Sequence, residues 1–353
     1  MANMNHTWPD VLTSLVRGED MDTETTRWAM SEILSGNASA AQMAAFMVAL
    51  RAKGETVTEI DALASGMLDK ATPIELPTDA VDVVGSGGDR ANTVNISTMA
   101  AIVAAAAGAK VVKHGNRAAS SMSGTADCLE ALGVALNVPP ERQGGIFDEC
   151  GLVFLFAPLY HSSLRHTAPV RKELGIQTTF NFLGPLANPA RPQAQAIGVA
   201  NLELADLVAG VLAARGNRGM VFHGEDGLDE LTTTTSSDIW LISDGQVVRT
   251  ELDPNDLGVT PSLPTDLVGG KPEHNAQVVR DVFAGATGPV RDIVLVNAAA
   301  ALLAFDGPSL MTPVAEQLRS KLGRAAAAID EGKATALLDS WIEATQRAVA
   351  AGR

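Results

Sequence analysis

Three glycines in the GSGGD segment of residues 85–89 give the chain its first candidate for ligand chemistry. Glycine exposes backbone N–H groups and lets the main chain come close to a ligand, which is what an anion-binding loop requires. The segment follows a short β-branched run at 80–84, so it lies at the end of a predicted strand. Its spacing matches neither the Walker loop nor the G-x-G-x-x-G loop, and a tight strand-to-helix turn is the alternative interpretation.

Polar side chains at a predicted helix start add to this candidate. Asn95, Ser97 and Thr98 stand where a helix over 97–107 begins. There they can offer an amide, hydroxyls and the positive end of the helix dipole to a phosphate. A plain helix cap would account for only one of these side chains. The sequence therefore favours ligand contact at this helix start.

The KHGNR segment of residues 113–117 follows a second predicted strand, over 109–113. Lys113, His114 and Asn116 bring a cation, an imidazole and an amide to the carboxyl end of a strand, where open α/β sheets bind ligands. A single basic residue is usually a solvated surface charge, but the clustering favours a site. Residues 119–127, which include Ser123 and Thr125, add hydroxyls beside another helix start and could equally be caps.

An adjacent carboxylate pair, Asp229 and Glu230, follows a strand predicted at 219–222. Magnesium binds proteins through one or two carboxylates together with substrate phosphates. Solvated surface is the alternative, because the chain has 41 acidic residues against 26 basic ones. The pair is nevertheless the one compact carboxylate pair in a predicted strand-end loop, and bound diphosphate needs its charge neutralised. The sequence thus favours a magnesium site here.

The elements that must position these residues alternate between strand and helix. Strands are predicted at 80–84, 109–113, 152–156, 194–199 and 219–222, and helices at 97–107, 124–132, 140–150 and 202–215. Such alternation implies a parallel sheet. A hairpin over 239–242 and 247–252 turns at Asp244-Gly245, and the chain from Asn275 onward is mostly helical. Residues 8–71 show only helical spacing, and a helical pattern over 161–174 is expected to cross back to them.

Composition excludes several classes of protein. With 353 residues, 46% of them hydrophobic, the chain can bury a large core, and its charge of −15 opposes binding to nucleic acid or anionic membrane. Only Cys128 and Cys150 are present, and both are expected to be buried apolar side chains. No secretion signal precedes the helices and the longest apolar run, 99–109, is too short to span a bilayer, so a cytoplasmic location is expected.

The order of the motifs resembles the anthranilate phosphoribosyltransferase family of tryptophan biosynthesis over nearly the whole chain. The matching segments are VVGSGGD, NIST, KHGNRAASSMSGTADCLEALG, FAPLYH, APVRKELG, FNFLGPLANP and GLDELTTTT. Three places depart from the family pattern: Ser86 stands where threonine is usual, Arg90 where glycine is expected, and residues 161–166 lack a usual proline.

The resemblance implies that the enzyme transfers the 5-phosphoribosyl group of phosphoribosyl pyrophosphate to the amine of anthranilate, releasing pyrophosphate. It implies phosphoribosyl pyrophosphate binding by Gly85, Gly87, Gly88, Asp89, Thr93, Asn95, Ser97, Thr98, Lys113, Ser123 and Thr125. It implies anthranilate binding by Gly85, His114, Asn116, Ala157, Pro158, His161 and Arg171. Magnesium, as two ions, would be bound by Ser97, Asp229 and Glu230. No residue is assigned as a general base, because positioning and electrostatics are expected to supply most of the rate.

The fold that the resemblance implies is α/β, of the nucleoside phosphorylase and phosphoribosyltransferase type. Residues 1–76 would form a small all-helical N-terminal domain, and helices from about 161–185 would pack with it as part of the same domain. A large α/β domain with a mostly parallel central sheet would comprise 77–160 and 186–353. A homodimer would form through the helical domain.

Two rival functions remain open at this point. A pyrimidine nucleoside phosphorylase has a similar fold and also binds an anion on glycine- and lysine-containing loops, but it would leave Asp229 and Glu230 without a purpose. A non-catalytic relative that binds nucleic acid would need a basic surface, which the charge of −15 opposes.

Overall fold

Four helices open the part of the chain that this computed structural model describes, residues 6–118 and 121–351. They are α1 (Trp8–Val16), α2 (Thr23–Leu34), α3 (Ala40–Lys53) and α4 (Val57–Asp69). Ser39 with Gln42, and Thr56 with Glu59, form capping boxes that satisfy the first N–H groups of α3 and α4. Apolar side chains at helical spacing, such as Met47 of α3 and Leu63 of α4, are buried, which confirms the helical interpretation of this region.

Seven strands form one sheet, in the order β3-β2-β1-β4-β5-β6-β7. Their bounds are β1 (Val81–Gly85), β2 (Val111–Gly115), β3 (Leu152–Phe156), β4 (Ala194–Gly198), β5 (Arg218–Gly224), β6 (Ser237–Ser243) and β7 (Gln246–Leu252). The first five strands pair in parallel, and β6 and β7 add an antiparallel hairpin at one edge. The prediction of a mostly parallel sheet and of a hairpin turned at Asp244-Gly245 is confirmed.

Ten further helices connect and cover the strands. They are α5 (Ile96–Ala106), α6 (Thr125–Leu132), α7 (Pro140–Cys150), α8 (Ala157–Tyr160), α9 (Ala168–Leu174), α10 (Leu202–Ala214), α11 (Pro272–Phe283), α12 (Pro289–Asp306), α13 (Val314–Asp330) and α14 (Lys333–Ala350). The pattern predicted over 161–174 is a 3₁₀ helix, Ser162–His166, followed by α9 with Pro169 in its first turn. Proline has no backbone N–H to donate into a preceding turn, so a helix starts afresh there. The 3₁₀ helix contacts α2, and α9 contacts α3.

Successive residues of the central strands enter opposite cores. On β4, Ala196 packs into the core that contains α5 and α12, whereas Ile197 packs into the core that contains α10 and the N-terminal helices. Met220 and Val221 on β5 alternate in the same way. Helices therefore cover both faces of the sheet.

The structure also bears on the two cysteines and on membrane-spanning helices. Cys128 and Cys150 are free and buried, as the composition indicated. In residues 6–118 and 121–351, no helix combines the length and hydrophobicity that crossing a bilayer demands. The division into domains at 76/77, with 161–185 joining the helical part, stays a prediction.

Candidate active site

The site lies at the carboxyl edge of the sheet, around β1. In the strand order, β1 stands between β2 and β4, so the chain leaves it in one direction and later returns on the other side. Ligands of open α/β sheets bind at such a switch point. The last residues of β1 and β4, Gly85 and Gly198, are paired with each other.

The glycine loop, residues 85–89, turns back on itself at the end of β1. Gly87 and Gly88 have φ of +71° and +91°, a region in which side chains other than glycine are strained. Ser86 fixes the base of the loop: its N–H donates to Gly198 O at 2.9 Å and its hydroxyl accepts from Ala200 N at 3.0 Å. Arg90 has φ of +60°, which accounts physically for the expectation of glycine at that position.

The acidic loop, residues 225–236 between β5 and β6, lies directly over the glycine loop. The N–H of Gly87 donates to Oδ2 of Asp229 at 2.6 Å, across 142 positions of sequence. A Cβ on Gly85 would overlap that carboxylate, and a Cβ on Gly198 would overlap the carbonyl oxygen of Asp229. The absence of side chains at these two strand ends is therefore what lets the acidic loop cross them.

Asn297 of α12 fixes the acidic loop through hydrogen bonds to its backbone. It is 1% exposed, its Oδ1 accepts from Leu231 N at 2.9 Å, and its Nδ2 donates to Leu231 O at 2.9 Å. Both backbone groups of Leu231 are thus satisfied by one amide, which fixes the loop directly after Glu230.

Three carboxyls crowd together at this point. Burial, and after it the nearby Asp89, raise the pKa of Asp229 to about 7. Burial and then Asp229 raise the pKa of Glu230 well above its ordinary value, while a hydrogen bond from Ser97 N–H opposes that shift. Burial is also the main cause that raises the pKa of Asp89. The crowded negative charge would be stabilised by a cation.

Lys113 is the cation that the fold supplies. Its side chain, 3% exposed, runs along the sheet from β2 and donates from Nζ to Val83 O. Burial lowers its pKa, whereas Asp82, Glu230 and Asp229 favour the charged form. Asp82 on β1 accepts from His114 N at 3.1 Å and from Asn188 Nδ2 at 2.8 Å, so it is itself held in place beside Lys113.

The start of α5 brings the next group of predicted residues to the same edge. Asn95 precedes α5 but makes no cap hydrogen bond to it; its Nδ2 donates instead to Ser123 O at 3.2 Å. The hydroxyl of Thr98 is buried and has no partner among the described residues. Thr93 is paired with Val268, and Thr125 is the first residue of α6. Ala119 and Ser120 lie outside the described residues.

The residues predicted for anthranilate lie beside the end of β2. The rings of His114 and His161 are in edge contact, with centroids 5.3 Å apart. Backbone carbonyls of the FNFLGPLANP segment fix both rings: Gly184 O lies 3.3 Å from Nδ1 of His114, and Ala187 O lies 2.8 Å from Nε2 of His161. Burial lowers the pKa of His114 to about 3 and also lowers that of His161. Both imidazoles are therefore neutral near pH 7.

The remaining residues predicted for anthranilate surround this pair. Ala157 and Pro158 form the first turn of α8 at the end of β3, where Phe156 pairs with Gly115, and Asn116 is exposed just beyond. Arg171 lies on α9, with a buried Nε that has no partner in the described structure, and burial lowers its pKa. Gln177, just after α9, reaches the glycine loop, since a Cβ on Gly88 would lie 2.9 Å from its Nε2.

Sequence reasoning missed the residues that hold the site together. These are Asp82, Asn188, Gly198, Asn275 and Asn297. Only Gly198 carried a usable signal, because it is a glycine near the end of the strand predicted at 194–199, at the same edge as the glycine loop. The others are buried polar residues inside apolar or helical patterns, and a buried polar side chain requires a partner that sequence alone does not identify.

The residues at the site fit a magnesium ion that is shared with a phosphorylated ligand. In the described segments, no group of three or more histidine, cysteine, aspartate or glutamate side chains could hold a metal by itself. Asp229 and Glu230, with the hydroxyl of Ser97, instead offer hard oxygen donors beside the anion-binding glycine loop. Magnesium typically binds in this manner, with phosphates and water completing its octahedral shell.

Comparison with known proteins agrees with this geometry. The glycosyl transferase family a/b domain matches residues 77–335, and the helical bundle domain of the same family matches residues 9–71. The anthranilate phosphoribosyltransferase of Thermobifida fusca is 54% identical over 340 residues, covering 96% of this chain and 97% of that protein.

Solved structures show the same similarity. The crystal structure of anthranilate phosphoribosyltransferase from Thermus thermophilus has a TM-score of 0.87 and 39% identity, covering 96% of this chain and 99% of that one. The Saccharomyces cerevisiae enzyme in complex with phosphoribosyl pyrophosphate and magnesium has a TM-score of 0.86 and 26% identity, covering 96% and 98%. The chain described here belongs to the anthranilate phosphoribosyltransferase family.

Proposed function

We propose that this protein transfers the 5-phosphoribosyl group from phosphoribosyl pyrophosphate to the amine of anthranilate in tryptophan biosynthesis, with release of pyrophosphate. The observation that supports this most directly is the contact between Gly87 N–H and the carboxylate of Asp229. It brings an anion-binding loop and a pair of metal-binding acids to one point, as a departing diphosphate requires.

The chain's own residues would divide the work around that diphosphate. The glycine loop and the start of α5, with Asn95, Ser97 and Thr98, would bind phosphate oxygens through N–H and hydroxyl groups. Lys113 would add a fixed positive charge. Magnesium held by Ser97, Asp229 and Glu230 would neutralise the negative charge that builds up on the leaving group. Because these groups are positioned before the reaction, little reorganisation is needed as the bond to the anomeric carbon breaks.

The acceptor side needs no strong base. His114 and His161 are buried, and burial lowers the pKa of both, to about 3 for His114. Neutral rings of such low basicity suit an aromatic acceptor better than they suit proton abstraction. Arg171 would bind the acceptor carboxylate through its guanidinium group, whose Nε is buried without a partner in the described structure. The amine would then attack an anomeric carbon that already has oxocarbenium character, as in other glycosyl transfers.

Several finer features belong to the same proposal. The working complex would contain two magnesium ions, and the protein would be a cytoplasmic homodimer associated through its helical domain, residues 1–76. The helices of residues 161–185 would belong to that helical domain and would carry Arg171 toward the acceptor.

An optical assay tests the proposed transfer. Anthranilate fluorescence should decay when the protein, magnesium and phosphoribosyl pyrophosphate are mixed, and omission of any one component should abolish the decay. Phosphate-dependent release of uracil or thymine from nucleosides, with no consumption of anthranilate, would identify a nucleoside phosphorylase and overturn the proposal.

A further inference from the structure

A buried amide outside the predicted site, Asn275, is hydrogen-bonded to one inside it. Asn275 lies in the first turn of α11 and is 1% exposed. Its Nδ2 donates to Oδ1 of Asn95 at 2.8 Å, across 180 positions of sequence. Its Oδ1 accepts from Gly270 N at 2.7 Å, and this bond fixes which end of the Asn275 amide faces Asn95.

The partners of Asn95 determine what its amide can still bind. Its Oδ1 accepts from Asn275 and also from Ser123 Oγ at 3.3 Å, so both acceptor positions of the oxygen are used. Its Nδ2 donates one hydrogen to Ser123 O at 3.2 Å. An amide nitrogen has two hydrogens, so one N–H of Asn95 remains for a ligand at the start of α5.

The backbone around α11 brings Asn275 to this position. Residues 267–270 run antiparallel along residues 92–94, with Val94 N donating to Leu267 O at 3.0 Å and Gly269 N donating to Asn92 O at 2.8 Å. A Cβ on Gly269 would lie 2.6 Å from Thr93 O, so the two segments pack too closely for a side chain at this position. The segment before α11 thus fixes the distance between Asn275 and Asn95.

We propose that Asn275 is a positioning residue for phosphoribosyl pyrophosphate: it holds the Asn95 amide in the one orientation that presents an N–H, not a carbonyl oxygen, to a phosphate. If the Asn95 amide rotated by half a turn, its NH₂ would face the NH₂ of Asn275, donor against donor. A phosphate would then meet a carbonyl oxygen, which repels it. The inference rests on the proposed function, because it takes the ligand to be the phosphorylated substrate.

Two substitutions at this position separate the hydrogen bond from the packing. Asn275→Asp keeps the size and the acceptor for Gly270 but replaces the donor that faces Asn95. Asn275→Ala removes the donor without adding charge. We expect each variant to raise the KM for phosphoribosyl pyrophosphate about 10-fold, the factor that about 1.4 kcal/mol of lost binding produces. The anthranilate KM should change less than about 3-fold, since Asn275 lies on the diphosphate side of the site. Gln277 is an exposed amide on the same helix and serves as the control: Gln277→Ala should change neither KM.

A double-mutant cycle distinguishes positioning from a structural role. If Asn275 acts through Asn95, then Asn275→Ala should have little further effect in an Asn95→Ala background. Direct titration of the protein with phosphoribosyl pyrophosphate and magnesium, in the absence of anthranilate, gives a dissociation constant. That constant should also change little when Asn275→Ala is added to Asn95→Ala. Additive effects in the cycle, or a lowered melting temperature with unchanged substrate binding, would overturn the inference. A wild-type protein that binds this substrate but consumes no anthranilate would overturn the proposed transfer and leave the Asn275 inference standing.

Discussion

At the level of single residues, Asp229 and Glu230 are buried side by side next to Asp89, and burial raises the pKa of all three carboxyls. The variant Asp229→Asn with Glu230→Gln keeps their sizes and removes both charges. We expect turnover to fall by at least ~10²-fold, the scale of losing a main electrostatic group. Fluorescence decay at several magnesium concentrations measures the loss.

The chain contains a matched control for this variant. Asp330 and Glu331 form another adjacent pair, exposed at the end of α13. Asp330→Asn with Glu331→Gln changes the net charge equally and should leave turnover unchanged. Because neutralisation relieves repulsion among buried carboxyls, the site variant should melt no earlier than wild type when magnesium is absent. Near-normal turnover in the site variant would refute the metal assignment.

Arg171 offers a second test on a single residue. A buried guanidinium Nε without a partner is costly unless a ligand supplies the acceptor, and the acceptor substrate carries a carboxylate. Arg171→Ala should raise the anthranilate KM by about 10-fold or more and affect the KM for phosphoribosyl pyrophosphate little. Lys172→Ala removes a positive charge from the neighbouring, exposed position of α9 and serves as the control. An unchanged anthranilate KM in steady-state kinetics would count against the assignment.

At the level of elements, the crossing of the acidic loop over β1 and β4 depends on two strand ends without side chains. Gly198→Ala would place a methyl group in the carbonyl of Asp229 and push the acidic loop off the sheet. We expect turnover to fall at least ~10-fold with a weaker apparent affinity for magnesium, and a loss of about 1–3 kcal/mol in the free energy of unfolding from overpacking.

Gly144→Ala is the control for that substitution. Gly144 lies inside α7 with open space where a Cβ would be, and its φ is not in the left-handed region. Alanine there should raise the free energy of unfolding by about 0.5–1 kcal/mol and leave kinetics unchanged. Equal activity of the Gly198 and Gly144 variants would show that the acidic loop does not depend on this close approach.

The elements were predictable where local pattern decides structure. The bounds predicted for β3 and α7 are those of the structure, because Gly151 ends α7 in the left-handed conformation and the apolar run of β3 begins directly after it. The motifs at the strand ends could be expected to meet, since parallel strands end at one edge of a sheet. The amides that lock the site could not be predicted. Asn297 meets Leu231 across 66 positions, and Asn275 meets Asn95 across 180, and no local pattern encodes such a pair.

At the level of the whole molecule, the helical domain provides a candidate for self-association. Val16 at the end of α1 is 79% exposed, and Val48 on α3 is 39% exposed. Single exposed valines are common, but here they lie on the helical part through which the family resemblance implies that two copies associate. We therefore expect wild-type protein at about 10 μM to sediment at twice the chain mass of 36.6 kDa.

Charge introduced at these two valines should separate the copies. Val16→Asp with Val48→Asp would bury two carboxylates against apolar partners, and a buried unpaired charge costs several kcal/mol. The double variant should sediment as a monomer at concentrations where wild type is dimeric. Met311→Asp, at a position 93% exposed before α13, adds the same charge away from the helical domain and should remain dimeric. A monomeric wild type would show that the protein does not associate under these conditions, and dissociation by Met311→Asp alone would place the association outside the helical domain. Dissociation by the valine pair alone would assign the interface to α1 and α3.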